Sequence, residues 1–272
     1  MPRRRDALVL IAAAACCARA GAQNHAESAA CKPVYLTFDT GHMGVAELIA
    51  DVLRRHHVRV TFFAANEPTQ EGDGTLGKFW APWWRARAAE GHEFASHTID
   101  HDYWRGDLPP AAPGGAARFR IRPSAGPDKG RNLTWTAAQY CEALRLSSDR
   151  LASMTQKKPL PLFRAPGGKH SPALLAAAEA CGYKHVGRAP AGFLGDELPS
   201  EGYPNQALLD KALRDIRPGD ILVAHLGIWS RHDPWAPAVL EPLIVGLQQR
   251  GFCFRTLREH PDYAPWIAAH GG

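Results

Sequence analysis

Residues 34–65 read VYLTFDTGHMGVAELIADVLRRHHVRVTFFAA, and their pattern sets the fold class. Residues 34–38 are β-branched, aromatic and apolar without alternation, the signature of a strand buried on both faces. Val45, Leu48, Ile49, Val52 and Leu53 then recur with helical spacing over 45–56. Residues 58–65, VRVTFFAA, form a second apolar strand. Strand, helix and strand within so short a stretch predict a parallel pair joined by a right-handed crossover.

The same alternation continues outward. Strands are expected at 91–96, 160–164, 184–187, 220–225 (DILVAH) and 251–256, and helices at 79–90, 136–154, 171–180, 205–215 and 237–250. Residues 66–78, 106–132 and 189–206 read as loops, the second irregular and rich in Pro, Gly and Arg. About seven parallel strands alternating with helices in a single domain give an α/β protein. A distorted (β/α) barrel fits better than an open sheet, although the pattern alone does not separate them. In either fold, chemistry belongs at the carboxyl ends of the strands. The strand-end residues are Asp39 and Thr40, Asn66, His97, Arg164, Gly187 and His225.

The chain has 272 residues, 45% hydrophobic and 22% charged, with a formal charge of +5. This is a globular composition, and the charge invites a nucleic-acid partner. Its location withdraws the invitation. Arg3, Arg4 and Arg5 precede an apolar run over 7–18 and a small-residue site, Ala20-Gly21-Ala22, so residues 1–22 read as a secretory signal peptide. They hold four Arg and one Asp, leaving 28 basic and 26 acidic residues in the mature chain. No nucleic acid and no integral membrane segment is then expected. A periplasmic or secreted monomer is expected, with a tether over 23–32, a catalytic domain over 33–260 and a C-terminal tail over 261–272. Export leaves Cys31, Cys141, Cys181 and Cys253 in an oxidising compartment, where three connectivities are open. Cys31 precedes the first strand and Cys253 lies in the last, which suggests Cys31–Cys253 and Cys141–Cys181. Four buried free thiols are the alternative.

His97 and His101 stand four residues apart just after a strand; a helical turn would aim both at one metal ion. At this point the sequence resembles a family. Thr37-Phe38-Asp39-Thr40-Gly41 resembles the TFDDG motif of the polysaccharide deacetylases (carbohydrate esterase family 4, the NodB-homology domain). Ser96-His97-Thr98-Ile99-Asp100-His101 resembles its H-[ST]-x-x-H motif, Arg164-Ala165-Pro166-Gly167-Gly168 its R-x-P-x-G motif, and Leu222-Val223-Ala224-His225 its last strand ending in His. The resemblance implies a distorted barrel, a divalent metal, usually zinc, and hydrolysis of acetyl groups on an N-acetylated oligo- or polysaccharide. Carried over by residue, it implies His97 and His101 as metal ligands, Asp39 as the base acting on metal-activated water, and His225 as the acid. Arg164 would keep Asp39 ionised, and the backbone N–H of Gly167 would help bind the oxyanion. The chemistry is coherent, since an amide nitrogen leaves only when protonated.

The sequence departs from the family in two places. Thr40 stands where the family has its metal-ligating acid, so Asp100, Asp102, Glu67 or His42 must replace it, or Asp39 must swing to the metal, or metal binding is lost. The family's aspartate-tryptophan motif is altered as well, which leaves Asp196 as the candidate partner of His225. Trp104 and Trp229 are candidate sugar contacts, whereas Trp80, Trp83 and Trp84 read as core packing. Two other functions stay open: a metal-independent C–N amidohydrolase on the same fold, and a glycan-binding pseudoenzyme.

Overall fold

The computed structural model describes residues 31–228, 231 and 233–271. The expected signal peptide, nearly all of the expected tether, and Trp229 lie outside the described residues. The strands are β1 (Lys32–Asp39), β2 (Thr61–Ala64), β3 (Glu93–Ser96), β4 (Asp102–Leu108), β5 (Arg118–Pro123), β6 (Leu133–Thr136), β7 (Leu162–Phe163), β8 (Lys184–His185), β9 (Ile221–His225) and β10 (Phe252–Phe254). The helices are α1 (Ala46–Arg55), α2 (Ala81–Ala89), α3 (Ala137–Thr155), α4 (Pro172–Ala180), α5 (Asn205–Asp215), α6 (Glu241–Gln249) and α7 (Ala264–Ala269).

The main sheet runs β8-β7-β3-β2-β1-β9, with β10 beside the first residues of β1, and its pairings are all parallel. Between β8 and β9 the wall is completed by an irregular segment. Ala189 N–H donates to Ile221 O at 3.1 Å, Leu194 N–H donates to Val223 O at 3.3 Å, and Phe193 bridges Val223. The sheet therefore curls into the distorted (β/α) barrel that the alternation favoured.

β1 explains how one strand serves both a core and a site. Successive side chains point to opposite faces. Val34, Leu36 and Phe38 face the helices and join a cluster that includes Ile49, Leu53, Val239 and Ile244. Tyr35 faces the barrel interior with Phe63, Ala95 and Leu162, and Thr37 and Asp39 continue that inward column. Trp83 and Trp84 of α2 meet Phe62 edge-on, with centroids 5.5 and 5.8 Å apart, so this tryptophan cluster is core.

Residues 106–132 differ from expectation. They carry the last three residues of β4 and all of β5 of a separate antiparallel sheet, β4-β5-β6. The inward residues of β5 are Phe119 and Ile121, and arginines alternate with them. That alternation is a period-2 pattern, but the surrounding Pro and Gly hide it. Within the expected tail, α7 packs Ile267 into the interior cluster, and Trp266 Nε1–H donates to Pro161 O at 3.0 Å. Cys31 is bonded to Cys253 and Cys141 to Cys181. The first disulfide joins the start of β1 to β10, and the second joins α3 to the end of α4. Among the described residues no helix is long and apolar enough to cross a membrane.

Candidate active site

Asp39 is the last residue of β1 and lies in direct register with His225, the last residue of β9. Neighbouring positions of parallel strands share a face, so the two side chains enter the barrel mouth together. Beyond the strand ends, β1 and β9 come so close that a Cβ on Gly41 would collide with Gly227 O. His97 follows β3 and Arg164 follows β7, each tied to its neighbour by a backbone bond (His97 N–H to Ala64 O and Arg164 N–H to Ser96 O, both 3.0 Å). All four line a cavity of about 610 Å³, within the range of small-molecule sites.

Arg164 is 5% exposed and fully engaged. Its Nη1 donates to Asp39 Oδ1 at 2.6 Å, its Nη2 to Thr37 Oγ1 at 2.9 Å and its Nε to Val186 O at 3.3 Å. The guanidinium lies 4.2 Å from the centre of the Phe63 ring. Burial alone would raise the pKa of Asp39, but the charge of Arg164, aided by His97 and His225, outweighs it and holds the carboxyl below its ordinary value. Asp39 is therefore a carboxylate at neutral pH.

Asp196 brackets His225. Its Oδ1 lies 3.0 Å from His225 Nδ1, and its Oδ2 accepts the His225 backbone N–H at 2.6 Å. Burial works against an imidazolium here, but the charge and hydrogen bond of Asp196, with Asp39 behind them, raise the pKa to about 10. His225 therefore carries a proton, with Nε2 left toward the cavity.

His97 is the opposite case. Burial lowers its pKa to about 4, against the pull of Asp39, whose Oδ2 is 3.7 Å from Nε2. A neutral His97 donates Nδ1–H to Arg164 O at 2.8 Å, which leaves the Nε2 lone pair exposed toward the cavity. His101 Nδ1 meets Ser124 Oγ at 2.6 Å, and the two imidazoles lie 4.8 Å apart. A turn, not a helix, brings them together. Thr98 and His101 adopt positive φ values of 60° and 50°, and Thr98 Oγ1 accepts Asp102 N–H at 2.7 Å.

The Thr40 hydroxyl accepts Ala65 N–H at 3.0 Å and is buried, pinning β1 to the end of β2. Of the four expected replacements for the missing acid, Glu67 alone lines the cavity. Its Oε2 is buried with no hydrogen-bond partner. Asp100 packs against Gly126, and Asp102 is sealed beneath the turn, where burial raises its pKa to about 7. His42 sits against Gly227, its Nδ1 accepting Gly44 N–H at 3.0 Å. Among the described residues no three His, Cys, Asp or Glu side chains are already gathered as a metal site.

Gly167 lines the cavity at φ 62°, where a Cβ would lie 2.6 Å from the Tyr103 ring. Trp104 was expected at the sugar site but faces the other way. It packs against the cluster beneath the small sheet, with Nε1–H donated to Asp107 Oδ1 at 3.0 Å. The alternation of β4 puts Tyr103 in the cavity instead. The cavity also takes in His170, His185 and Arg188, which the sequence reading passed over. His185 is on β8, a strand too short for its alternation to be read.

A sequence model of the polysaccharide deacetylases matches residues 26–186. A chitooligosaccharide deacetylase of Sinorhizobium fredii is 27% identical over 237 residues, covering 84% of this chain and 91% of that protein. A peptidoglycan-N-acetylmuramic acid deacetylase of Bacillus subtilis is 24% identical over 227 residues, covering 83% and 70%. The structure of a family 4 acetyl xylan esterase from Clostridium thermocellum, in complex with a cobalt ion, superposes with a TM-score of 0.60 at 19% identity, covering 86% and 91%. That structural likeness concerns the fold.

Proposed function

Since the chain belongs to the polysaccharide deacetylase family, we propose that it is an exported hydrolase that removes acetyl groups from an N-acetylated glycan. The observation that carries this reading is the pairing, in register at one barrel mouth, of an ionised Asp39 with a protonated His225. A base and an acid poised oppositely at neutral pH are what amide hydrolysis needs.

In this reading Asp39 takes a proton from the attacking water. His225 gives its Nε2 proton to the departing nitrogen, and Asp196 holds the imidazole in place. Arg164 positions Asp39, and the Gly167 N–H faces the oxygen that becomes negative. The donor set fits a divalent ion, zinc by its chemistry. His97 and His101 each have Nδ1 engaged and Nε2 left over, and the partnerless Glu67 Oε2 supplies the carboxylate that Thr40 lacks. Such an ion, when bound, polarises the acyl oxygen and makes water more acidic. Export is supported by the pattern of residues 1–22 and by the two disulfides.

The test is acetate release from chitohexaose. Asp39→Asn and His225→Ala are each expected to abolish it while the thermal transition stays cooperative. Normal turnover in either folded variant overturns the mechanism.

A further inference from the structure

The small sheet has a polar face that the catalytic reading leaves unused. In β5, Phe119 and Ile121 point into the core while Arg118, Arg120 and Arg122 point away from it. Partners directly opposite one another share a face. Arg122 is opposite Tyr103, Arg120 opposite Gly106 and Thr134, and Arg118 opposite Leu108 and Thr136. That face bears no acid at these positions. Tyr103 is also the cavity-lining residue, so the row begins at the mouth with Arg122 and runs outward through Arg120 to Arg118. Alternate strand residues repeat about every 7 Å. A fourth cation, Arg105, sits at the irregularity in β4 with its guanidinium 4.9 Å from the centre of the Tyr103 ring.

Among the described residues no carboxylate lies within ion-pair distance of Arg118, Arg120 or Arg122, whereas Arg54, Arg55, Arg145, Arg255 and Arg258 on other surfaces each have one. The row is a local excess on a nearly charge-balanced mature chain. Three like charges on adjacent sites repel one another unless an anion lies along them.

We propose that this arginine row is a docking track for a carboxylate-bearing glycan chain, which it leads into the cavity past Tyr103. The proposal deepens the deacetylase reading and rests on it for the word glycan. A linear array calls for a polymer with repeated charges, not a single small anion. A nucleic acid is disfavoured because, among the described residues paired on this face, Tyr103 at one end of the row is the single aromatic, too few to stack successive bases. Trp104 and Trp135 face the core cluster.

The test compares hyaluronan oligosaccharides, which alternate carboxylate and acetamido sugars, with uncharged chitohexaose. The variant is the triple Arg118→Thr, Arg120→Thr, Arg122→Thr, which keeps strand propensity. Direct binding is read by fluorescence anisotropy of labelled oligosaccharide, and turnover by acetate release. The triple variant is expected to weaken hyaluronan binding at least about tenfold at low salt, as three contacts of ordinary surface strength would. Chitohexaose binding and turnover stay unchanged, and 0.5 M salt removes the difference between wild type and variant. Equal losses on both glycans, or no loss on hyaluronan, overturn the track. Single-stranded DNA that binds the wild type as tightly as hyaluronan, and loses affinity in the triple variant, overturns the glycan assignment. If salt-sensitive hyaluronan binding persists but neither glycan releases acetate, the deacetylase reading fails and the track stands.

Discussion

Replacing Asp196 with asparagine removes a charge from behind His225 but little volume. Asparagine Oδ1 can still accept the His225 backbone N–H, now 2.6 Å from Asp196 Oδ2. Its Nδ2 would then face Nδ1 and favour the neutral ring protonated on Nε2. In the wild type the pKa of His225 is raised to about 10 because Asp196 and Asp39 outweigh burial. Without Asp196, burial is opposed by Asp39 and Glu197 alone, and the value falls toward the ordinary imidazole range, about 6.5. At pH 8 the protonated fraction then drops from nearly all to about 3%, roughly a 30-fold loss, whereas at pH 6 it drops far less. The expected outcome is an alkaline limb of kcat/KM that moves several pH units downward, with the activity ratio of wild type to Asp196→Asn growing between pH 6 and pH 8. The His225 imidazole resonances, followed by NMR across pH, report the same shift without turnover. A loss of equal size at both pH values, or an unmoved titration, refutes the reasoning. The sign for stability is the same. A raised histidine pKa stabilises the fold fully below about 6.5, and that contribution is lost as pH rises through about 10. The alkaline unfolding limb should therefore be steeper in the wild type than in Asp196→Asn.

Two further outcomes are expected. Arg164→Met leaves Asp39 buried beside an apolar side chain. It should cost about 3–5 kcal/mol of stability, lowering Tm by roughly 10 °C, and abolish acetate release; calorimetry showing no destabilisation contradicts the role of the pair. Cys141→Ser with Cys181→Ser opens a loop closed across a sequence separation of 40 residues. This should cost about 4 kcal/mol in denaturant unfolding while leaving kcat unchanged.

The barrel was legible because β1, β2 and β9 are short apolar runs rich in β-branched or aromatic residues, set between helical patterns, and the strand ends then named Asp39, His97, Arg164 and His225. Asp196 was a weaker inference, since in sequence it is one acid of a loop, and only the bridge from Phe193 to Val223 brings that loop beside His225. The small sheet was not legible. Its period-2 signal is only Phe119 and Ile121 alternating with arginines, too short to stand out from the flanking glycines and prolines. For the same reason the sequence offers Trp104 and not Tyr103 as a sugar contact: without strand pairing nothing says which of two adjacent aromatics faces which way. Glu67 could be named from the sequence but not chosen, since its separation from Asp100 and Asp102 as the useful acid depends on which of the three lines the cavity.

We propose that this site, with Thr40 in place of an acid, still gathers a metal through His97, His101 and Glu67. The most direct measurement is elemental analysis of the purified protein after dialysis against zinc, beside His97→Ala and Glu67→Gln. One zinc per chain in the wild type and a small fraction of that in both variants is the predicted result. Zinc absent from an active wild type, or retained equally by the Glu67→Gln variant, contradicts it.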